Sequence, residues 1–159
     1  MDPGTLRTGY ALVQEVEGEL SVLTWGVLAP RARLPLGQRL QEIYSGLLRF
    51  MDQWDPSEVA VEEPFVSQNV RTAMAIGQAQ GVALMAAATR GIDAARYSPT
   101  QVKRAVTGYG GGTKEQVQQS LRMQLDEDLS AIQEDAADAL AVALCHLRTR
   151  QLEAVLAQG

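Results

Sequence analysis

The chain has 159 residues, an apolar fraction of 46%, a formal net charge of −5 and a single cysteine. That length and composition suit one ordinary globular domain and argue against disorder. One cysteine excludes an intrachain disulfide and a cysteine-built zinc site; no apolar run approaches the roughly 20 residues that cross a bilayer, and no basic stretch followed by an apolar run marks a leader, so a reducing cytoplasm is the expected location.

The opening MDPGTLRTGY places Asp2 where a strand ends, with Gly4 and Gly9 allowing a tight turn and close approach to an anion. A strand is expected before Asp2, yet only Met1 stands there, so the first strand reads as truncated. Residues 8–16 and 19–29 read as two strands of an antiparallel hairpin turning at Glu17-Gly18. Residues 30–37, with two prolines, read as a loop. Leu40, Ile43, Tyr44, Leu47, Leu48, Met51 and Trp54 recur at helical spacing and predict a helix over 38–54, stopped by Asp55-Pro56. Residues 58–62 form a short predicted strand that Pro64 prevents from continuing.

An alanine-rich helix is predicted over 69–89 and a strand over 91–97. Ser98, Pro99 and Gln101 form a capping box with proline in the first turn, and Thr113 and Gln116 repeat the box after the glycine-rich loop 108–112. Val117, Leu121 and Leu125 give the second of these helices its apolar stripe. A last helix is predicted over 131–148, with a possible run toward 157; the expected organisation is one domain over 1–148 and a tail over 149–159.

Charge is unevenly placed. Between Arg96 and Arg122 stand five basic residues and one acid, whereas residues 126–138 hold six acids and no base. A basic ridge beside an acidic cluster suits an enzyme that grips phosphates in one place and binds metal in the next; solvated helix faces are the plainer reading. Asp135 and Asp138 are three apart and project from one helical face. On the inner side of a thin alanine-rich helix, two acids are costly without a partner, and a cation supplies one. Alone, the pair reads equally as an acidic helix start favoured by the dipole. Asp2 and one of the adjacent Glu62 and Glu63 stand at strand ends that could meet it, and periodicity alone does not choose between the two glutamates. Four carboxylates held together stay ionised only with cations between them, which points to magnesium and to phosphate chemistry.

The segments MDPGTLRTGYALV, VAVEEPF, QNVRTAMAIGQAQGVAL, YSPTQVKRAVTGYGGGTKEQV and EDAADALAVALCH resemble, in order and over nearly the whole chain, the RuvC family of Holliday junction resolvases. The resemblance implies an α/β, ribonuclease-H-like fold with a five-stranded mixed sheet flanked by helices, working as a homodimer on four-way junction DNA. It assigns the catalytic and metal-binding acids to Asp2, Glu62, Asp135 and Asp138, so it selects Glu62 over Glu63. It assigns a junction-contacting aromatic to Phe65 and DNA contacts to Lys103 and Lys114. Arg104, beside Lys103 on the basic ridge, is expected to contact phosphate as well. The departure is the missing apolar strand before Asp2.

Two Mg²⁺ ions, with Mn²⁺ as a substitute, are the expected cofactors, and cleavage is expected to leave 5′-phosphate and 3′-hydroxyl ends. The 69–89 helix carries small-residue stripes at Ala73, Gly77 and Gly81 and at Ala75, Ala79 and Ala83; spacing assigns them equally to the protein's own sheet and to a partner, and the resemblance puts this helix at the dimer axis. The branch-migration proteins RuvA and RuvB are further partners that the resemblance implies. His146 is expected to be structural or exposed, and Trp25, Trp54 and Cys145 to pack. The readings to be weighed against junction resolution are a related nuclease of ribosomal RNA precursors and a junction-binding protein without catalysis.

Overall fold

Glu17 and Gly18 both adopt positive φ, 53° and 84°, which is the backbone twist that a two-residue hairpin turn needs. They join β1 (Thr8–Val16) to β2 (Glu19–Leu28) in an antiparallel pair, with a bulge that leaves Leu23 without a partner between Val22 and Thr24. The computed structural model describes residues 1–63, 70–125 and 128–157. The remaining elements follow as α1 (Leu36–Trp54), β3 (Val59–Glu62), α2 (Val70–Thr89), β4 (Ala94–Tyr97), α3 (Pro99–Thr107), α4 (Lys114–Gln124) and α5 (Glu134–Leu156).

Helix ends follow their local chemistry. Asp55 closes α1 in the left-handed region, and Ser98 and Thr113 each accept from the backbone N–H three residues on while the matching glutamine reaches back. The last helix starts later than expected, at Glu134, and runs unbroken through residues 149–156.

β3 and β4 pair in parallel, with α2 as the crossover. Residues 1–2 span the gap between the two strand pairs. Met1 N donates to Ala60 O at 2.8 Å, and Glu62 N donates to Met1 O at 3.0 Å. On the other side Asp2 and Gly9 exchange backbone hydrogen bonds of 3.0 Å each. The backbone ladder therefore runs β2, β1, residues 1–2, β3, β4. Four strands are formed among the described residues, and the dipeptide holds the place of the expected fifth.

The two faces of this ladder bury different helices. Val59 and Val61 point to one side, with Met1, and pack with Ile43, Leu47 and Met51 of α1 and Val82, Ala83, Ala86 and Ala87 of α2. Ala60 points to the other, where Val102, Val106, Leu121, Leu140, Ala141 and Leu144 of α3, α4 and α5 pack with Val22 and Tyr97. This alternation carries the side chain of Glu62 to the α5 side, as for Ala60. Periodicity combined with the observed layers thus resolves what the sequence left open between Glu62 and Glu63.

Gly9 sets the distance between the ladder and α5. A Cβ added there would lie 1.8 Å from the carbonyl oxygen of Asp135. Its missing side chain serves close packing of β1 on the start of α5, rather than the anion approach expected of it. Buried Ala136, Ala137, Ala139 and Ala141 keep the helix thin on the same side.

Candidate active site

Three elements supply the four acids of the site. Asp2 lies in the bridging dipeptide and Glu62 at the last position of β3; Asp135 and Asp138 lie in the first two turns of α5. Two further contacts fix the backbone around them. Thr8, fully buried, donates its hydroxyl to Gly4 O at 2.8 Å, which closes the loop after Asp2. Gln80, buried on α2, donates Nε2 to Glu62 O at 3.1 Å, so the end of β3 is fastened from the opposite face.

Asp2 and Glu62 hydrogen-bond each other through their carboxyl groups. Burial is the main cause that raises Glu62, to about 8, with the charges of Asp2 and Asp138 adding to it. Burial and the charge of Asp138 also raise Asp2, and the hydrogen bond from Glu62 pulls it back. Of the two, Glu62 is therefore the one that favours its protonated form at neutral pH. Asp138 is raised by burial and held back by Lys114.

Basic side chains hold the other two acids. Arg7 Nε donates to Asp135 Oδ2 at 2.6 Å, and its terminal nitrogen donates to Gln133 Oε1 at 2.8 Å. Lys114 Nζ, at the first position of α4, lies 2.5 Å from Glu134 Oε1 and 3.2 Å from Asp138 Oδ2. Those acids, Glu134 first, hold the Lys114 ammonium well above its ordinary value.

In this arrangement no three carboxylate, histidine or cysteine side chains among the described residues converge closely enough to hold a metal ion. Arg7 and Lys114 instead hold the Asp135 and Asp138 carboxylates to themselves. The donor set nevertheless fits a hard divalent cation. It is all oxygen and part-buried, and Asp2, Glu62 and Asp138 are raised first by burial and then by the charge of neighbouring acids. A cation would take the place of the Glu62 proton and free Arg7 and Lys114.

The other expected site residues divide. Lys103, half-buried, and Arg104, exposed, lie on α3 and make no ion pair among the described residues; neither touches the acids. Glu63 pairs loosely with Arg96, at 3.8 Å, away from the acids. Phe65 lies outside the described residues. His146 belongs to the opposite end of β3, where Nδ1 meets the Tyr97 hydroxyl at 2.8 Å and Nε2 meets Glu58 Oε2 at 2.7 Å. It is structural there, as expected, and Cys145 is buried. Arg7 and Gln80 escaped the sequence reading. The signals were the lone base inside MDPGTLRTG and the polar residue on the alanine face of α2.

The sequence profile described as Crossover junction endodeoxyribonuclease RuvC matches residues 1–146. A Dehalococcoides mccartyi protein named Crossover junction endodeoxyribonuclease RuvC is 43% identical over 159 residues, covering 100% of this chain and 96% of its own. The structure of T. thermophilus RuvC in complex with Holliday junction substrate superposes with a TM-score of 0.88 at 31% identity, over 96% of this chain and 93% of that one. The yeast mitochondrial Holliday junction resolvase Ydc2, at 13% identity and a TM-score of 0.64 over 92% of this chain and 77% of that one, shares the fold alone. The architecture is the expected ribonuclease-H-like one, and the chain belongs to the RuvC family of crossover junction endodeoxyribonucleases.

Proposed function

We propose that this protein is a structure-selective endonuclease that resolves four-way DNA junctions by paired, symmetric nicks during homologous recombination and repair. The observation that carries this reading is that the backbone ladder joins Asp2 to the end of β3 at Glu62 while Gly9 lets the start of α5, with Asp135 and Asp138, close onto the same ladder. Family membership supplies the substrate class, since the matched relatives are named for crossover junctions.

Asp2, Glu62, Asp135 and Asp138 are the residues that hold Mg²⁺, two ions in our reading, with Mn²⁺ able to substitute. When bound, such ions lower the pKa of a water and neutralise the leaving oxygen of an in-line displacement, so the products carry 5′-phosphate and 3′-hydroxyl ends. The protein's own part is preparation. Partial burial of Asp2 and Glu62 limits the solvent around their carboxyl groups. Gln80 fastens Glu62 through its carbonyl, and the Gly9 contact sets the height of Asp135 over β1. Lys114, released from Asp138, turns to a DNA phosphate beside the helix start, where backbone N–H groups also face anions. Lys103 and Arg104 on the adjoining helix bind phosphates further along, and Phe65 stacks on an unpaired base at the crossover.

The functional unit is a homodimer formed through α2. Ala79 and Ala83 are buried in the protein's own core, so that stripe belongs to the fold. The opposite face is open: Val70, Met74 and Met85 are exposed, and a Cβ at Gly77 or Gly81 would meet nothing within 4 Å. A two-fold axis there presents two identical sites to two strands. Residues 1–148 form the nuclease domain, and the end of α5 extends from it. No helix among the described residues is long and apolar enough to cross a membrane, and the cytoplasm is the proposed place of action.

The test incubates a four-way junction and a ribosomal RNA precursor separately with the protein and Mg²⁺. Paired nicks at symmetric positions, ligatable without end repair, are the expected result. Cleavage of the RNA alone, or junction binding with no cleavage, overturns the proposal.

A further inference from the structure

Arg7 stands between two environments. On one side its guanidinium holds Asp135 and Gln133. On the other it lines a cleft of about 420 Å³ between the loop after Asp2 and α2, together with Gly4, Thr5, Arg71, Ala75 and Ile76. Among the described residues no carboxylate lines this cleft. A third arginine lies behind it: Arg39 donates to Thr5 O at 3.4 Å, and its Nε is buried with no hydrogen-bond partner. An otherwise acidic protein thus gathers three arginines around one cleft, whose lining also includes the apolar Leu6, Ala75 and Ile76.

The geometry points to this cleft as a phosphate-binding subsite for the DNA backbone, with Arg7 and Arg71 as its ligands and Arg7 released to it when a divalent cation takes Asp135. The inference rests on the nuclease reading and adds to it a coupling between metal and DNA. A guanidinium forms its strongest contacts with carboxylate or phosphate, and Arg7 holds a carboxylate while lining the cleft. Half-exposed as it is, the Arg7–Asp135 pair is weak enough for a divalent cation to displace. Metal binding then turns Arg7 from a counter-ion of the protein into a ligand of the substrate. By linkage, DNA in the cleft strengthens metal binding at the acids by the same factor.

Two measurements test it. In Mn²⁺ titrations followed by calorimetry without DNA, Arg7→Gln removes the competitor for Asp135 and binds the ion about two- to fivefold more tightly, the range an exposed ion pair supports. A merely structural role predicts the reverse, because Asp135 would lose its support. In junction binding followed against salt in Ca²⁺, with the strands checked for nicks, Arg7→Gln and Arg71→Gln each lower the slope by about 0.9 per lost contact. In EDTA only Arg71→Gln lowers it, since Arg7 is then committed to Asp135. Arg7→Lys restores part of the Ca²⁺ slope. Unchanged or weaker Mn²⁺ binding by Arg7→Gln, or a Ca²⁺ slope that neither substitution moves, overturns the inference alone. Wild-type protein that binds no Mn²⁺, or binds it equally well as Asp135→Asn, overturns the metal-site reading and this inference with it.

Discussion

Gly9 and Asp135 meet backbone to backbone: a Cβ on Gly9 would stand 1.8 Å from the Asp135 carbonyl oxygen. Because that atom is main chain, a side chain at position 9 forces the whole helix start to move. Gly9→Ala is expected to destabilise the protein by about 1–3 kcal/mol, the usual cost of overpacking. The shift also lifts Asp135 and Asp138 away from Asp2, so nicking falls further than stability does. Urea unfolding beside single-turnover nicking checks both. Wild-type rates in a destabilised Gly9→Ala would remove the packing from the account of the site.

Asp2→Asn and Glu62→Gln keep the shape of the buried pair and remove the charge that a cation needs. Nicking is expected to fall by at least about 100-fold. Junction affinity stays near wild type, since neither carboxyl favours a phosphate. Gel-shift titration and nicking on the same junction separate the effects; full activity in either variant removes that residue from the catalytic set.

The raised carboxyl of Glu62 makes the metal-free fold sensitive to base. Its folded value is about 8 against an ordinary 4.5. The folded state therefore binds the proton more tightly than the unfolded chain does. The associated stability is complete below about pH 4.5 and is lost as pH rises toward 8, by at most about 1.4 kcal/mol per pH unit for one proton. Melting in EDTA from pH 5 to pH 9 is expected to show this loss, and Glu62→Gln to flatten it. Mg²⁺ binds the ionised acids, so its stabilising effect grows over the same range. A parallel pH profile in the Glu62→Gln protein would contradict the raised carboxyl of Glu62.

Gln80 tests whether the strand end needs fastening. Gln80→Leu leaves the Glu62 carbonyl without its side-chain donor, at a cost of about 1–3 kcal/mol for an unsatisfied buried group. Turnover is expected to fall while junction affinity holds, because Gln80 acts on Glu62 and not on DNA. Equal losses in affinity and turnover would point elsewhere.

The open face of α2 predicts assembly. Met74→Glu places a charge in the exposed apolar stripe between Val70 and Gly77. The protein is expected to elute as a monomer and to make unpaired nicks. Sedimentation equilibrium and a cruciform-plasmid assay report the two outcomes; an intact dimer in this variant moves the interface off α2.

Much of this protein follows from local chemistry. The Glu17-Gly18 turn, the paired capping boxes at Ser98 and Thr113, and the apolar periodicity of α1 depend on near neighbours, and the sequence determines them. The candidate acids were legible too, because carboxylates at strand ends and on the inner face of an alanine-rich helix are costly unless something cationic answers them. Other features needed the third dimension. Glu62 was separable from Glu63 only once Ala60 was seen to face α5. Arg7 is 128 positions from Asp135 along the chain, so no spacing rule joins them. Residues 1–2 act as a strand only because β1 and β3 lie on either side and supply hydrogen bonds. Local propensity sets which elements form; which charges face one another is decided by packing, because Coulomb energy depends on distance through space and not along the sequence.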